Sequence, residues 1–594
     1  MSHTNRNFVI AYILLVGLPL LALAGVLKSG RSLNAPFSVD GAWKLDAGAA
    51  HASAAPCTDF LSSVSNSPLS ISQSGTSLVI NLGGKTTTGT LAGKTIKAQF
   101  VDANNSNTTD CSGPSLALTA TLDPLTEPRT MSGRLSVEGC SSCAPMEFRC
   151  KAATPGGRGH PLMPNLFILV LQVAVVLTAC RLTGALFKKL HQPRVVGEMF
   201  AGIMLGPSLL GWIAPHFSAY LFPASSLGFL NALSQIGVIV FMFLVGLKIN
   251  PMELKKESHA AVLASHVSIT APFVLAAFLA LYLYPRLSDD SVAFTNFALF
   301  MGAAMSITAF PVLARILAER RMLSSRLGTV AIACAAVDDV TGWCILAYIV
   351  VLIRAAHSET SIWMTLGGIV VFGLVMVFGV QRLLKGVFLN AYEKWGHLSE
   401  NRMAFMLLLV LVSSLCTERL GIHLLFGAFL MGAIMPKEDR FVRYVLDRFE
   451  TITVTLLLPL FFAFTGLRTN IGLVKGHEMW MYCGLIILVA TAGKLGGSTL
   501  AAWMSGMPFR EAAGLGILMN TRGLMELVIL NIGLDIKIIS PALFSMMVIM
   551  ALVTTFMTTP VLNLICPKEM LEGEKAGAER VAAAAVSLQE TGVA

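Results

Sequence analysis

The sequence predicts an all-α membrane protein of thirteen spans, with a small β-rich domain ahead of the bundle. Three observations predict it. The 594 residues are 55% hydrophobic and only 13% charged, with a mean hydropathy of +0.70, whereas soluble domains carry about 25% charged residues. Apolar runs long enough to cross a bilayer, about 17 to 25 residues each, recur from Leu162 to Cys566 with short polar breaks. Ahead of Leu162 lies a stretch of another character, rich in Ser, Thr, Gly and Asn. The formal charge of +9 does not point to nucleic acid, because the basic residues fall between apolar runs and form no single stripe interleaved with aromatics.

Residues 1–28 hold an apolar stretch from Phe8 to Leu27 that follows Arg6, contains Pro19 and includes Ala22-Leu23-Ala24. This is the pattern of a cleavable signal peptide or of an uncleaved anchor helix. Either one sends residues 29–160 across the membrane. That segment alternates in short runs, Ser77 to Leu82 and Ser115 to Ala120, separated by Gly and Pro, which predicts an extracytoplasmic β-sandwich or barrel. It carries Cys57, Cys111, Cys140, Cys143 and Cys150. In an oxidising compartment these make two disulfides and one spare thiol. Cys140 and Cys143 as a metal or redox pair lack a second CxxC, paired histidines and a surrounding βαβ pattern.

Residues 161–566 form the bundle, with spans centred near Val173, Met204, Val238, Ala271, Ile307, Asp339, Val371, Leu411, Ala428, Leu458, Ile487, Met519 and Val553. Charge in the loops orients them. Twenty-three Lys and Arg, among them Lys188, Lys248, Arg315, Lys437 and Arg510, fall in one set of alternate loops and the short tail 567–594. The other loops hold six: Arg286, Arg354, Arg419, Arg468, Lys475 and Lys537. The bundle is thus expected to start outside and end with a cytoplasmic C-terminus, as a multi-pass protein of the cell (inner) membrane.

Few ionisable residues remain at membrane depth: Glu198, Asp338, Asp339, Lys494, Arg522 and Glu526. At a helix centre Asp, Lys or Arg each costs about 2.5 to 3.5 kcal/mol, so such residues mark ion or proton pathways unless they merely lock helices together. Arg522 and Glu526, four apart on one helical face, fit the locking role as well as the functional one. Asp338 and Asp339 do not, because neighbours on a helix point about 100° apart and cannot both turn toward one partner. One can face a neighbouring helix while the other faces a cavity, where protons and cations compete for it. Lys494 is the natural counter-ion for one of them, able to release a proton when a cation takes its partner.

Two interrupted spans surround the pair. Met305 to Pro311 contains Ser306, Thr308 and Pro311, and a proline removes one backbone bond and clashes with the preceding turn. Met519-Asn520-Thr521-Arg522-Gly523 is polar and Gly-interrupted in the same way. Paired interruptions at corresponding places in two halves point to a transporter's midplane site, since half-helix ends present dipoles and free carbonyls to ions.

With these residues in view the chain resembles a known family. Val337 to Trp343 (VDDVTGW), Ser306 to Leu317 (SITAFPVLARIL), Gly202 to Gly211 (GIMLGPSLLG), Gly427 to Gly432 (GAFLMG), Pro459 to Gly466 (PLFFAFTG) and Asn520 to Asp535 (NTRGLMELVILNIGLD) are similar to motifs of the monovalent cation:proton antiporter-2 family. The similarity covers about Leu162 to Cys566 and is nearest the branch of plant cation/H+ exchangers and their bacterial relatives. It implies an inverted-repeat bundle with two broken crossing helices, a dimerisation domain, and a core domain of spans four to six and eleven to thirteen that moves like an elevator. It implies Asp339 as the essential ion-binding carboxylate, Asp338 as the second one, and Lys494 as the partner of Asp338. Thr308 and its neighbours Ser306 and Thr521 would support the site at the breaks, with Arg522 and Glu526 in a supporting role and Glu198 a structural one.

The function these readings imply is exchange of Na+ or K+ for H+ by a homodimer in the lipid bilayer, with no enzymatic step and no cofactor. Two rivals stand beside it: a channel-like potassium efflux system, and an envelope binding or redox protein whose membrane part is an anchor. Against the first, the roughly thirty residues after Cys566 are Ala-rich and lack a Gly-rich phosphate loop, so gating by a cytoplasmic dinucleotide is not expected. Against the second, thirteen spans and a buried acid pair exceed what an anchor needs.

Overall fold

The structure is a computed structural model that describes residues 10–47, 69–83, 85–101, 111–123, 129–140, 145–152, 166–190, 192–248, 259–320, 322, 325–355, 362–420 and 423–565. The first helix, α1 (Ile10–Gly30), is long and apolar enough to cross a bilayer. Strands β1 (Gly41–Ala47), β2 (Leu69–Ser74), β3 (Ser77–Leu82), β4 (Lys85–Ala92), β5 (Thr95–Val101), β6 (Cys111–Asp123), β7 (Thr130–Cys140) and β8 (Met146–Ala152) follow it. They run antiparallel in sequence order, and β1 closes on β8 with Trp43 opposite Ala152. The result is a barrel, one of the two β architectures that the alternation allowed. Leu78, Ile80 and Leu82 on β3, and Leu116, Leu118, Ala120 and Leu122 on β6, all turn inward to a core with Trp43, Phe100 and Phe148. Eight strands leave an interior that side chains can fill, so this domain presents its surface, not its lumen, to any partner.

Of the five cysteines here, Cys150 is a free thiol sealed in the barrel core. The side chains of Cys57, Cys111, Cys140 and Cys143 lie outside the described residues. Burial pushes the Cys150 thiol up to about 12, which starves it of the reactive thiolate. Iodoacetamide at pH 8 should therefore leave Cys150 unlabelled in the native protein and label it after denaturation, as read by peptide mass spectrometry. Native-state labelling at the rate of a free thiol would contradict the barrel packing.

The bundle contains α2 (Leu166–Lys189), α3 (Arg194–Leu205), α4 (Ala224–Lys248), α5 (His259–Leu287), α6 (Phe294–Ser306), α7 (Phe310–Glu319) and α8 (Arg326–Ala355). It continues with α9 (Gly367–Trp395), α10 (Glu400–Arg419), α11 (Leu425–Ile434), α12 (Asp439–Ile452) and α13 (Leu458–Arg468), then α14 (Gly476–Met504), α15 (Phe509–Met519), α16 (Leu524–Asp535) and α17 (Pro541–Ile565). Among the described residues, twelve helices have the length and apolarity to cross a membrane, α1 included, or thirteen if the bent pair α15 and α16 counts as one.

From Leu162 onward twelve of the thirteen expected spans meet this test, the bent pair counted as one, and Ala428 lies in a shorter apolar helix. There the helix α11 has ten residues, a rise of about 15 Å against a hydrocarbon core of about 30 Å. Pro436 explains its end, since the residue before a proline is pushed out of the helical region, and Met435 is extended with ψ 151. The Lys437 ammonium then donates to the carbonyls of Gly246, Leu247 and Gly432, fastening the ends of α4 and α11 together.

The helices sort into two packed groups. In the first, α2, α3, α4 and α13 share a buried cluster that includes Val176, Cys180, Ala201, Leu230, Leu460 and Ala463, and α11 lies along α4. Glycine makes this group tight: a Cβ on Gly466 would stand 2.2 Å from the backbone of Gly202, so the GIMLGPSLLG and PLFFAFTG motifs meet backbone to backbone. In the second, α5 packs on α6, α8 and α14, and α15 and α16 pack on α17.

Candidate ion-binding site

The second group contains the two interrupted helices. Between α6 and α7 the chain is extended at Ile307 (φ −84, ψ 137), and between α15 and α16 it leaves the helix at Asn520 to Gly523. The two breaks touch. The Ala309 amide donates to the Thr521 carbonyl at 3.0 Å, and the Thr308 hydroxyl lies 2.9 Å from the Met519 carbonyl. Backbone groups freed by one break are thus satisfied by the other, which is how irregular backbone survives where water is scarce.

Arg522 completes the arrangement. Its guanidinium donates to the carbonyls of Ala304 (3.1 Å) and Met305 (2.6 Å), the last turn of α6. Those carbonyls have no amide partner farther along the helix, and a cation is favoured at a helix C-terminus. Glu526 stands 3.5 Å from Arg522, the i,i+4 geometry expected from their spacing.

Asp338 and Asp339 lie on α8 beside the breaks, both fully buried, and their surroundings differ. Asp338 is saturated. The Lys494 ammonium donates to its Oδ2 at 2.8 Å and to the Thr308 hydroxyl at 2.5 Å. Thr308 lies 2.9 Å from Oδ2, the Ser268 hydroxyl 2.8 Å from each oxygen, and the Ser265 hydroxyl 3.1 Å from Oδ1. Asp339 is the opposite case. Neither of its oxygens has a hydrogen-bond partner at bonding geometry, and the amide of Phe310, first residue of α7, faces the carboxylate. That amide is the positive end of a helix dipole, set beside a carboxylate that is buried away from water.

Small residues bring Lys494 to this place. It sits in a π turn, Ala492–Gly496, of α14, and a Cβ on Gly493 would lie 2.6 Å from Pro272 Cα of α5. Glycine permits that approach, and the wide turn aims the long side chain across at α8; such turns recur at functional sites.

A cleft of about 360 Å³ opens between the two groups at the end of the bundle remote from the barrel, lined by Glu198, Lys248, Phe310, Arg315, Glu450 and Leu524 among others. Phe310, whose amide faces Asp339, is part of this wall. Lys248 and Glu450 pair at 2.9 Å there. At the barrel end the groups are latched. Arg468 of α13 donates to Asn531 Oδ1 (3.0 Å) and Asp535 Oδ1 (2.6 Å) of α16, and Asn531 donates to Thr465 at 2.9 Å.

Over residues 174–565 the chain matches the family model described as sodium/hydrogen exchanger, transmembrane. It belongs to the sodium/hydrogen exchanger family. The exchanger is 43% identical over 404 residues to the Na+/H+ antiporter NhaS4 of Synechocystis, covering 68% of this chain and 98% of that one. It is 39% identical over 427 residues to cation/H+ antiporter 17 of Arabidopsis thaliana, with 72% of this chain and 51% of that one covered. To K+/H+ antiporter 1 of Saccharomyces cerevisiae it is 33% identical over 415 residues, covering 69% and 47%. This exchanger thus spans nearly all of the first relative and about half the length of the other two. The matched region begins after the barrel, at residue 174.

Among the expected supporting residues, Thr308 touches both Asp338 and Lys494, whereas Ser306 and Thr521 turn back to carbonyls of their own helices, Ala303 and Leu518. Glu198 lies in the cleft wall. Sequence reasoning missed Ser265 and Ser268 on α5, three apart and therefore on one face toward α8. It also missed Asn520, buried at the second break with both amide atoms unpartnered.

Proposed function

We propose that this exchanger swaps Na+ or K+ for protons by alternating access, with Asp339 as the carboxylate that carries the ion. The observation that supports it is the asymmetry of the acid pair. Asp338 is held by Lys494, Thr308, Ser265 and Ser268, while Asp339, itself buried, keeps two unpartnered oxygens beside Phe310, a residue of the cleft wall. A site that offers a cation one free carboxylate, and offers a proton the same group, must hold one or the other. The cleft at one end and the Arg468 latch at the other describe a state open on one side only.

In this reading the barrel lies outside the cell membrane and the cleft opens to the cytoplasm. The crowding of basic side chains, Lys248, Arg315 and Lys437 among them, at the end remote from the barrel supports that orientation. The second helix group moves as an elevator against the first, which pairs with a second copy to form the homodimer.

The latch gives a test of alternating access. Arg468 and Asp535 are partly exposed, so breaking the pair costs about 1 kcal/mol at most. Arg468→Ala should therefore raise the apparent cation affinity measured from the barrel side of oriented proteoliposomes by up to about fivefold. The exchanged pair Arg468→Asp with Asp535→Arg should bring it back. Equal affinities in all three proteins would contradict the latch. A channel, the rival reading, would pass K+ without proton movement when no pH gradient is present.

A further inference from the structure

Among the described residues, the barrel and α1 hold none of the site's side chains, and their main contacts are with the ion-binding helix group. Ala11 and Val16 of α1 lie in the buried cluster that also holds Leu263 and Val267 of α5, Leu313 of α7 and Leu518 of α15. Tyr12 meets His266 edge to face, with ring centroids 5.7 Å apart. At the far end of α1, a Cβ on Gly30 would overlap the Phe294 ring at 1.8 Å, so helix and α6 touch with nothing between them.

The chain then enters the barrel under restraint from the loop that joins α5 to α6. The Asp290 amide donates to the Pro36 carbonyl at 2.9 Å, and the Ser38 amide donates to Asp290 Oδ1 at 2.7 Å. Arg129 on the barrel donates to the Ser38 carbonyl at 2.7 Å and stands 3.7 Å from Asp290. A second foot is the turn between β2 and β3. Gly75, at φ +59, brings its backbone against Arg286 at the end of α5, where a Cβ would lie 1.8 Å from the Arg286 carbonyl oxygen. Beside it the Ser74 and Ser540 hydroxyls are 3.0 Å apart. The turn is itself braced, because the Gln73 side chain donates to the carbonyls of Phe37 and Gly75 and accepts from the Val39 amide.

These bundle partners, His266, Arg286, Asp290, Phe294 and Ser540, lie on α5, α6 or the loops beside α6 and α17. Those are the helices that carry or contact Ser265, Ser268, Thr308 and Asn520. A cavity of about 340 Å³ lies between the barrel and Leu473, Lys475, Met479 and Ala542.

We infer that α1 and the barrel form a cap rigidly joined to the ion-binding helix group, and that the cap travels with this group during transport. The inference rests on the alternating-access reading and adds the cap to the moving body. A joint made of backbone contact, a buried cluster and short hydrogen bonds has no hinge in it. The cap is then neither a gate that opens over the ion path nor a brace between the groups.

The test is a cross-link across the joint. In Ser74→Cys with Ser540→Cys, copper phenanthroline as oxidant removes two electrons and two protons as the S–S bond forms, and peptide mass spectrometry identifies the bond. Each single variant reports any reaction of the native thiols. The inference expects the cross-link to form in high yield, and cation-driven proton exchange to stay within about twofold of the reduced protein. A tenfold fall on oxidation that dithiothreitol reverses would show that the joint must open, and would overturn it. Failure of the bond to form would overturn it too. If the reduced protein itself shows no exchange, it is the antiport reading that fails. A second readout is the distance between labels at Thr88→Cys on the barrel and Ser218→Cys after α3. It should change between saturating cation and cation-free buffer, and a constant distance would contradict a moving cap.

Discussion

Asp339→Asn is expected to give a folded protein that neither binds the cation nor exchanges it. The substitution keeps size and removes a buried charge that only the Phe310 amide faces, so it relieves desolvation and does not loosen the fold. What it removes is the attraction for the ion. A unit charge pair about 4 Å apart gains about 4 kcal/mol at an effective dielectric of 20, about a thousandfold in affinity. Cation binding should stabilise the native protein by about 2.7 kcal/mol when the ion exceeds its Kd a hundredfold. A thermal-shift titration with Na+, K+ and Li+ therefore separates the two proteins: the native transition climbs with the bound ion and that of the variant stays flat. An equal climb in the variant would place the site elsewhere.

Lys494→Ala is expected to destabilise the bundle strongly. The Lys494 and Asp338 side chains are both fully buried and 2.8 Å apart, and removing one member of such a pair leaves a buried charge without compensation, at a cost of about 3 to 5 kcal/mol. Ser265, Ser268 and Thr308 still surround Asp338 in that variant and hold the cost toward the lower figure. Asp338→Asn with Lys494→Met removes both charges, so its loss should be well below the sum of the single losses, which is the coupling that a double-mutant cycle reads. Additive losses would mean that the pair does not act as a unit. The same lysine is proposed to move a proton when the site fills, so Lys494→Ala should also change the charge moved per turnover or the pH dependence of exchange. If both stay native, Lys494 has a structural task only.

The charged part of this site could be read from the sequence because charge is rare at membrane depth: Asp338, Asp339, Lys494, Arg522 and Glu526 stand out against apolar neighbours. The hydroxyl part could not. Ser265 and Ser268 bond to Asp338, yet Ser413 and Thr465 look the same in sequence and serve backbone carbonyls of Gly427 and Phe461. Only the placement of α5 against α8 tells them apart. Likewise the alternation in β3 and β6 announced strands, but closure depends on the pairing of β1 with β8, more than a hundred residues apart in the chain. The shortness of the helix at Ala428 has a local cause that composition hides, since Leu425 to Ile434 is as apolar as any crossing helix and Pro436 ends it. The two interrupted helices were legible as breaks. That Arg522 caps α6, and so belongs as much to the first break as to the second, was not.

The most direct measurement is proton flux in proteoliposomes that contain this protein alone, followed by an internal pH dye after pulses of Na+, K+ and Li+, with the membrane potential clamped and then free. The native protein should move protons against at least one of Na+ and K+, in either direction according to the gradient imposed, while Asp339→Asn in parallel stays at the rate of empty liposomes. Exchange by Asp339→Asn at the native rate would contradict the assignment of the ion to Asp339.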